Sequence, residues 1–194
     1  MKYLTVGTDE IREDLLKRVE DTDLRSSMKP RGGLWLTEFD ENLVNFNRWV
    51  DFMMLRPNIL FHKNRGSNPF IQPCSIVTLN DDTNLYVLHN RESLDYLMKC
   101  FPYDGKFSYE DLSHYYDGIY VDLGGLYHSD YDKNVLSKFS SFDVNSLILF
   151  DLGCIDYYQS GSVVIEPFDP DDSYSYDRYY EINYNKVKKK VLKR

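Results

Sequence analysis

Four histidines, three cysteines and thirty-one carboxylates are the side chains of this sequence with reach into acid–base, nucleophilic or metal chemistry. The histidines, His62, His89, His114 and His128, lie far apart and share no metal-ligand spacing, so they read as ordinary surface or loop residues and no metal site is expected. Cys74, Cys100 and Cys154 form no Cys-x-x-Cys pair, and an odd count makes no disulfide framework, which points to a reducing compartment. No Gly-x-x-x-x-Gly-Lys-Ser/Thr loop, Gly-x-Gly-x-x-Gly turn, Gly-x-Ser-x-Gly elbow or His-Glu-x-x-His helix occurs. Among the acids, Asp117, Asp122 and Asp143 flank predicted strands, where a carboxylate can face a cleft. Asp117, within Tyr116-Asp117-Gly118, reads equally as a turn former. Trp35 follows Gly32-Gly33 and can either stack on a ligand base or fill a core.

These residues must be positioned by local elements. Residues 3–8 predict a first strand and turn at Gly7. Asp9 has the place of a helix cap, with Ile11, Leu15 and Val19 on one face. Residues 34–37 predict a short strand after the Gly32-Gly33 turn. Thr37 and Asp40 have the spacing of a capping box before an amphipathic helix carrying Phe39, Leu43, Phe46, Val50 and Met53, ended by Pro57. Residues 56–73 read as loop. Residues 75–79 and 85–88 predict a hairpin across the polar turn 80–84. A helix with Leu94, Leu97, Met98 and Phe101 follows, then a shorter one capped by Ser108 with Asp111. Strands are predicted at 119–121 and 144–150, with 122–134 loop-like between them, and a last strand at 162–165. Helices and strands do not alternate regularly, which favours a mixed α+β arrangement over a doubly wound parallel sheet.

The length, 194 residues, fits one domain with an extension. The boundaries read as a domain over 1–165, then an acidic, Tyr-rich extension and basic tail over 166–194. Hydrophobic residues at 42% and aromatics at 15% supply a core, and no run of about eighteen apolar residues exists to span a bilayer. With no apolar leader at the N-terminus, a cytoplasmic location is expected. Net charge is −8, but the last nine residues hold six bases and no acid, which leaves −14 on residues 1–185. A body so acidic disfavours non-specific nucleic-acid binding, whereas the tail can meet phosphate or an acidic partner.

The order of segments resembles a group of small phage and bacterial proteins similar to ADP-ribosyltransferases. The resemblance rests on Lys29-Pro30-Arg31-Gly32-Gly33-Leu34-Trp35-Leu36-Thr37, then a helix with Trp49, then Ile76-Val77-Thr78-Leu79 and Leu85-Tyr86-Val87-Leu88. It continues through Tyr116-Asp117-Gly118-Ile119-Tyr120-Val121 to Phe142-Asp143-Val144-Asn145-Ser146-Leu147-Ile148-Leu149-Phe150-Asp151. The resemblance implies an α+β fold, a split mixed β sandwich with flanking helices, holding NAD as substrate. It puts NAD-binding positions at Thr5 and Gly7, Arg31 and Gly33, Trp35 and Tyr120, and catalytic positions at Thr37, Asp143 and Asn145. Trp35 and Tyr120 would meet the nicotinamide or base, Arg31 the pyrophosphate, Thr37 the nicotinamide ribose, and Asp143 would be the catalytic carboxylate. Val6 stands where the superfamily carries a His, and Asp143 and Asn145 stand where it carries a Glu.

The implied activity is transfer of ADP-ribose from NAD to a macromolecular acceptor, protein or nucleic acid, as a toxin or effector in phage–host conflict. The alternative is a catalytically inactive member of the fold that serves as an interaction module, with an antitoxin or inhibitor protein as partner. A metal-dependent nucleic-acid-processing enzyme is disfavoured by the acidic body and the lack of clustered acidic ligands.

Overall fold

In the computed structural model, residues 1–24, 27–43, 47–55, 71–165 and 180–192 are described. Phe46, Pro57, the rest of the expected loop at 56–70, and residues 166–179 of the extension lie outside them. The chain divides into two compact units, the first comprising Met1–Ile11, Thr37–Leu79 and Ile155–Leu192, the second Arg12–Leu36, Asn80–Cys154 and Lys193–Arg194. The secondary structure is α+β, with mixed strand pairing and few helices. Among the described residues no helix is long and apolar enough to cross a membrane.

The first unit is built on antiparallel strands. They are β1 (Lys2–Val6), the second half of β2 (Leu34–Phe39), β3 (Ile71–Leu79), β9 (Ile155–Ile165) and β10 (Tyr180–Tyr184), in the order β10-β9-β3-β1-β2. Strand periodicity puts Leu4, Phe39, Cys74, Ile76, Val163, Tyr180 and Ile182 into one buried cluster with Val50 of helix α1 (Arg48–Leu55). Asn47 seats that helix: its Oδ1 accepts the amides of Trp49 at 3.1 Å and Val50 at 3.2 Å, and its Nδ2 donates to the Glu38 carbonyl at 2.8 Å. Thr37 is a strand residue, so the cap expected of it belongs instead to Asn47. Pro73 is tolerated inside β3 because its carbonyl accepts from Gly7 at 2.7 Å, just past the last β1 pair, Val6 with Cys74. Carbonyl and imide nitrogen of a strand residue point the same way, so the missing N–H falls where β1 has ended. The basic segment after β10 docks on β9, where Tyr158 and Lys189 exchange backbone bonds of 2.9 and 2.8 Å.

The second unit pairs the first half of β2 with β8 (Ser146–Leu149), β8 with β7 (Gly118–Val121), both antiparallel, and β7 with β4 (Leu85–Leu88) in parallel. The expected hairpin of residues 75–79 and 85–88 does not form. The turn is instead pulled aside, as the Asn80 amide donates to the Cys154 carbonyl at 2.8 Å and the Asn84 amide to Asp117 Oδ2 at 2.8 Å. The chain then crosses from β4 to β7 through helix α2 (Arg91–Cys100), the ribbon β5 (Pro102–Tyr103) with β6 (Lys106–Phe107), and helix α3 (Tyr109–Leu112). Ser108 caps α3 as its spacing predicts, accepting the Asp111 amide at 3.0 Å. The segment 122–134 is not a loop throughout, since α4 (Leu123–His128) and the start of α5 (Lys133–Leu136) lie in it. The helix expected after Asp9 is also absent. Only a short 3-10 turn at Glu13–Leu15 forms, and Leu15 is 61% exposed while Ile11 and Val19 are buried. The backbone here is engaged elsewhere, with Lys17 accepting from Gly33 at 2.9 Å and Glu20 bridged to Arg31.

Leu94, Leu97, Phe107, Tyr109, Leu112, Ile119, Leu126, Phe139, Phe142 and Ile148 share the core of this unit. Lys106 is buried with them. Its ammonium donates to the carbonyls of Thr22 at 2.5 Å and Leu24 at 3.2 Å, and burial lowers its pKa. Tyr109 is 2% exposed, and its buried hydroxyl has no hydrogen-bond partner among the described residues. Burial pushes that phenol well above its ordinary pKa. An unpaired buried hydroxyl costs about 1–3 kcal/mol, so Tyr109→Phe is expected to keep or raise the urea midpoint. A midpoint lowered by the loss of more than about 1 kcal/mol would mean that the hydroxyl is satisfied.

Candidate functional site

In the second unit two parallel strands end side by side, and each leads into a helix. Leu88 runs through His89 to Asn90, the N-cap of α2, and Val121 runs to Asp122, the N-cap of α4. Carboxyl ends of adjacent parallel strands are where open α/β sheets bind ligands, because strand ends and helix N-termini converge there. The α4 backbone approaches β4 so closely that a Cβ on Gly125 would stand 2.2 Å from the His89 carbonyl oxygen, so only glycine fits.

Strand β8 runs the other way and begins at this end, with Ser146 opposite Val121. The preceding residue, Asn145, therefore lies against Asp122. Its Oδ1 accepts the Leu123 amide at 3.0 Å, and its Nδ2 donates to Asp122 Oδ1 at 3.2 Å and to the Tyr120 hydroxyl at 3.4 Å. Asp122 also caps α4, accepting the Gly125 amide at 3.2 Å. Two residues before Asn145, Asp143 is exposed at the centre of a tight turn in which the Val144 amide donates to the Phe142 carbonyl at 2.5 Å. Its φ of 57° and ψ of −44° fall in the strained γ-turn region that non-glycine residues rarely occupy. One end of the unit thus joins a hydroxyl, an amide and a carboxylate through hydrogen bonds, with the Asp143 turn two residues before Asn145 in the chain, a set able to bind a polar ligand.

The other expected positions fall as follows. Trp35 is half-buried, its indole N–H donates to the Gly32 carbonyl at 2.9 Å, its ring lies 5.5 Å from Phe142, and Lys29 Nζ stands 4.6 Å over it. Gly33 sits against Ile148, whose methyl would be 2.7 Å from an added Cβ. Arg31 is exposed, with its backbone paired both ways to Glu20 at 3.0 Å. Thr5, Gly7 and Thr37 belong to the first unit. There Thr37 pairs with Leu4, so Thr5, one residue on, points to the opposite face of the sheet. Both threonines are buried, at 7% and 6% exposure, and do not converge on one ligand. Asp117 is a turn residue, its carboxylate accepting the Asn84 amide at 2.8 Å. Among the described residues no three His, Cys, Asp or Glu side chains are grouped to hold a metal ion.

No protein-family model, no curated protein and no solved structure matches this chain. The site therefore stands on its own geometry. The sequence singled out Asp122 as a carboxylate beside a strand, and Tyr120 and Asn145 by resemblance, but not the hydrogen bonds that join all three. The usable signal was positional: Asp122 ends one strand and Asn145 precedes its antiparallel neighbour.

Proposed function

We propose that the chain is an ADP-ribosyltransferase-like enzyme that transfers ADP-ribose from NAD to a macromolecular acceptor, protein or nucleic acid. What supports the reading is the Tyr120–Asn145–Asp122 cluster at the head of β8, with Asp143 held in a strained turn beside it. In this reading Asn145 and Tyr120 hold the nicotinamide end, and the Asp143 carboxylate stabilises the oxocarbenium-like ribosyl transition state. The bond from the ribose C1 to nicotinamide breaks, nicotinamide leaves with its electron pair, and an acceptor nucleophile takes C1 and loses a proton. The superfamily's split β sandwich is the finer form of the fold in this proposal. Incubation of the whole protein with biotin-labelled NAD and cell lysate, followed by separate protease and nuclease digestion, tests it and names the acceptor class. Label that resists both treatments, or no label at all, counts against transfer to protein or nucleic acid.

One observation favours the alternative, an inactive interaction module on the same scaffold. The Trp35 indole N–H is already bonded to Gly32 and its ring is packed on Phe142, as in a structural tryptophan. That alternative predicts a stable complex with a protein partner and no consumption of NAD.

A further inference from the structure

The basic C-terminal segment has a place in the first unit that the proposed transferase does not use. After β10 the chain docks on β9 through its backbone. The Asn185 amide donates to the Ser160 carbonyl at 2.8 Å, Gln159 Nε2 donates to the Asn185 carbonyl at 3.2 Å, and Tyr158 and Lys189 exchange backbone bonds. Lys186, Lys188, Lys189 and Lys190 lie on this docked segment, and all four are exposed. Three of their ammonium groups are held in place. Lys188 Nζ lies 3.9 Å over the ring of Tyr157, Lys189 Nζ donates to Ser160 Oγ at 2.8 Å, and Lys190 Nζ donates to Asp156 Oδ1 at 2.6 Å. The pair with Asp156 is the only ion pair that any of the four makes among the described residues. Its side chains are 74% and 44% exposed, so it is weak and exchanges readily for another anion. Docking thus turns a run of bases into a ridge of positioned cations, which loses less freedom on meeting an anion than a loose tail would.

We propose that this ridge binds the phosphate backbone of single-stranded nucleic acid. The lysine ammonium groups donate to phosphate oxygens and read no bases, so the binding is independent of sequence. A polynucleotide carries one negative charge on every nucleotide and can meet several of the four lysines at once. The rest of the chain favours a single strand over a duplex, because residues 1–185 sum to −14. A flexible single strand follows the ridge without carrying a second row of phosphates towards that charge. The binding stands independently of NAD chemistry.

Fluorescence anisotropy of a labelled oligothymidylate of about twenty nucleotides, titrated with the whole protein between about 50 and 200 mM salt, tests the proposal. Three or four phosphate contacts predict a slope of about −2 to −3 for the logarithm of the binding constant against that of salt, a loss of about 20- to 50-fold in affinity over this range. Lys186→Gln combined with Lys188→Gln should bring the slope nearer zero by about 1.4 and weaken binding at about 50 mM salt by about ten-fold or more, with the thermal midpoint unchanged. The corresponding pair of arginine replacements should keep both slope and affinity. No binding at about 50 mM salt, a slope unchanged in the double glutamine variant, or equal or tighter binding of a matched duplex or of polyglutamate would overturn the proposal.

Discussion

Replacement of Gly32 by alanine is expected to cost about 3 kcal/mol or more, enough to unfold much of a marginally stable domain. Two independent terms add. Gly32 has φ +71°, where a side chain costs about 1–2 kcal/mol. Its new Cβ would also stand 2.1 Å from the Arg18 carbonyl oxygen, and backbone cannot swing aside as a flexible side chain can. Gly7 separates the terms, because it has φ +106° but nothing within 4 Å of an added Cβ. Gly7→Ala should therefore lose only about 1–2 kcal/mol. Urea unfolding followed by far-ultraviolet circular dichroism measures both. Equal losses for the two variants would show that the contact with Arg18 is not what fixes the Gly32-Gly33 turn.

At Asp143 stability and activity are expected to move in opposite directions. Glycine relieves the positive-φ turn, so Asp143→Gly should gain about 1 kcal/mol. The same change removes the carboxylate given the catalytic role, and labelling from NAD should fall by about 100-fold or more. Asp143→Ala should lose the labelling without the gain, since alanine leaves the turn strained. A variant that loses activity while becoming more stable cannot be explained by misfolding. Retention of full labelling by Asp143→Gly would remove Asp143 from the chemistry and leave its backbone as a local structural device.

Much of the second unit was legible from its residues. The Asn90–Cys100 region, the Ser108 cap and the strands near 119–121 and 146–149 announce themselves through short-range periodicity and capping side chains, which act over one or two turns. Long-range pairings were not legible. Whether residues 75–79 turn back on 85–88 depends on the Cys154 carbonyl and the Asp117 carboxylate, which lie far along the chain. The spacing of Ile11, Leu15 and Val19 fits a helix, yet only a 3-10 turn at Glu13–Leu15 forms, and the backbone beyond it bonds to Gly33 and Arg31 instead. The Gly-Gly-Leu-Trp block resembles a ligand-binding signature, while the close approach of Arg18 and Ile148, which leaves no room for a Cβ at Gly32 or Gly33, is not visible in the local sequence. The Asn145 cluster needed the β7–β8 register, which no local pattern encodes.

The measurement that bears most directly on the proposed activity is release of nicotinamide from NAD by the whole purified protein, with and without lysate, beside Asp143→Gly as control. Transferase chemistry predicts nicotinamide released in step with label appearing on the acceptor, and a signal from Asp143→Gly reduced about 100-fold. No nicotinamide from the unmodified protein, together with no thermal shift on adding NAD, would contradict it and leave the interaction-module reading in its place.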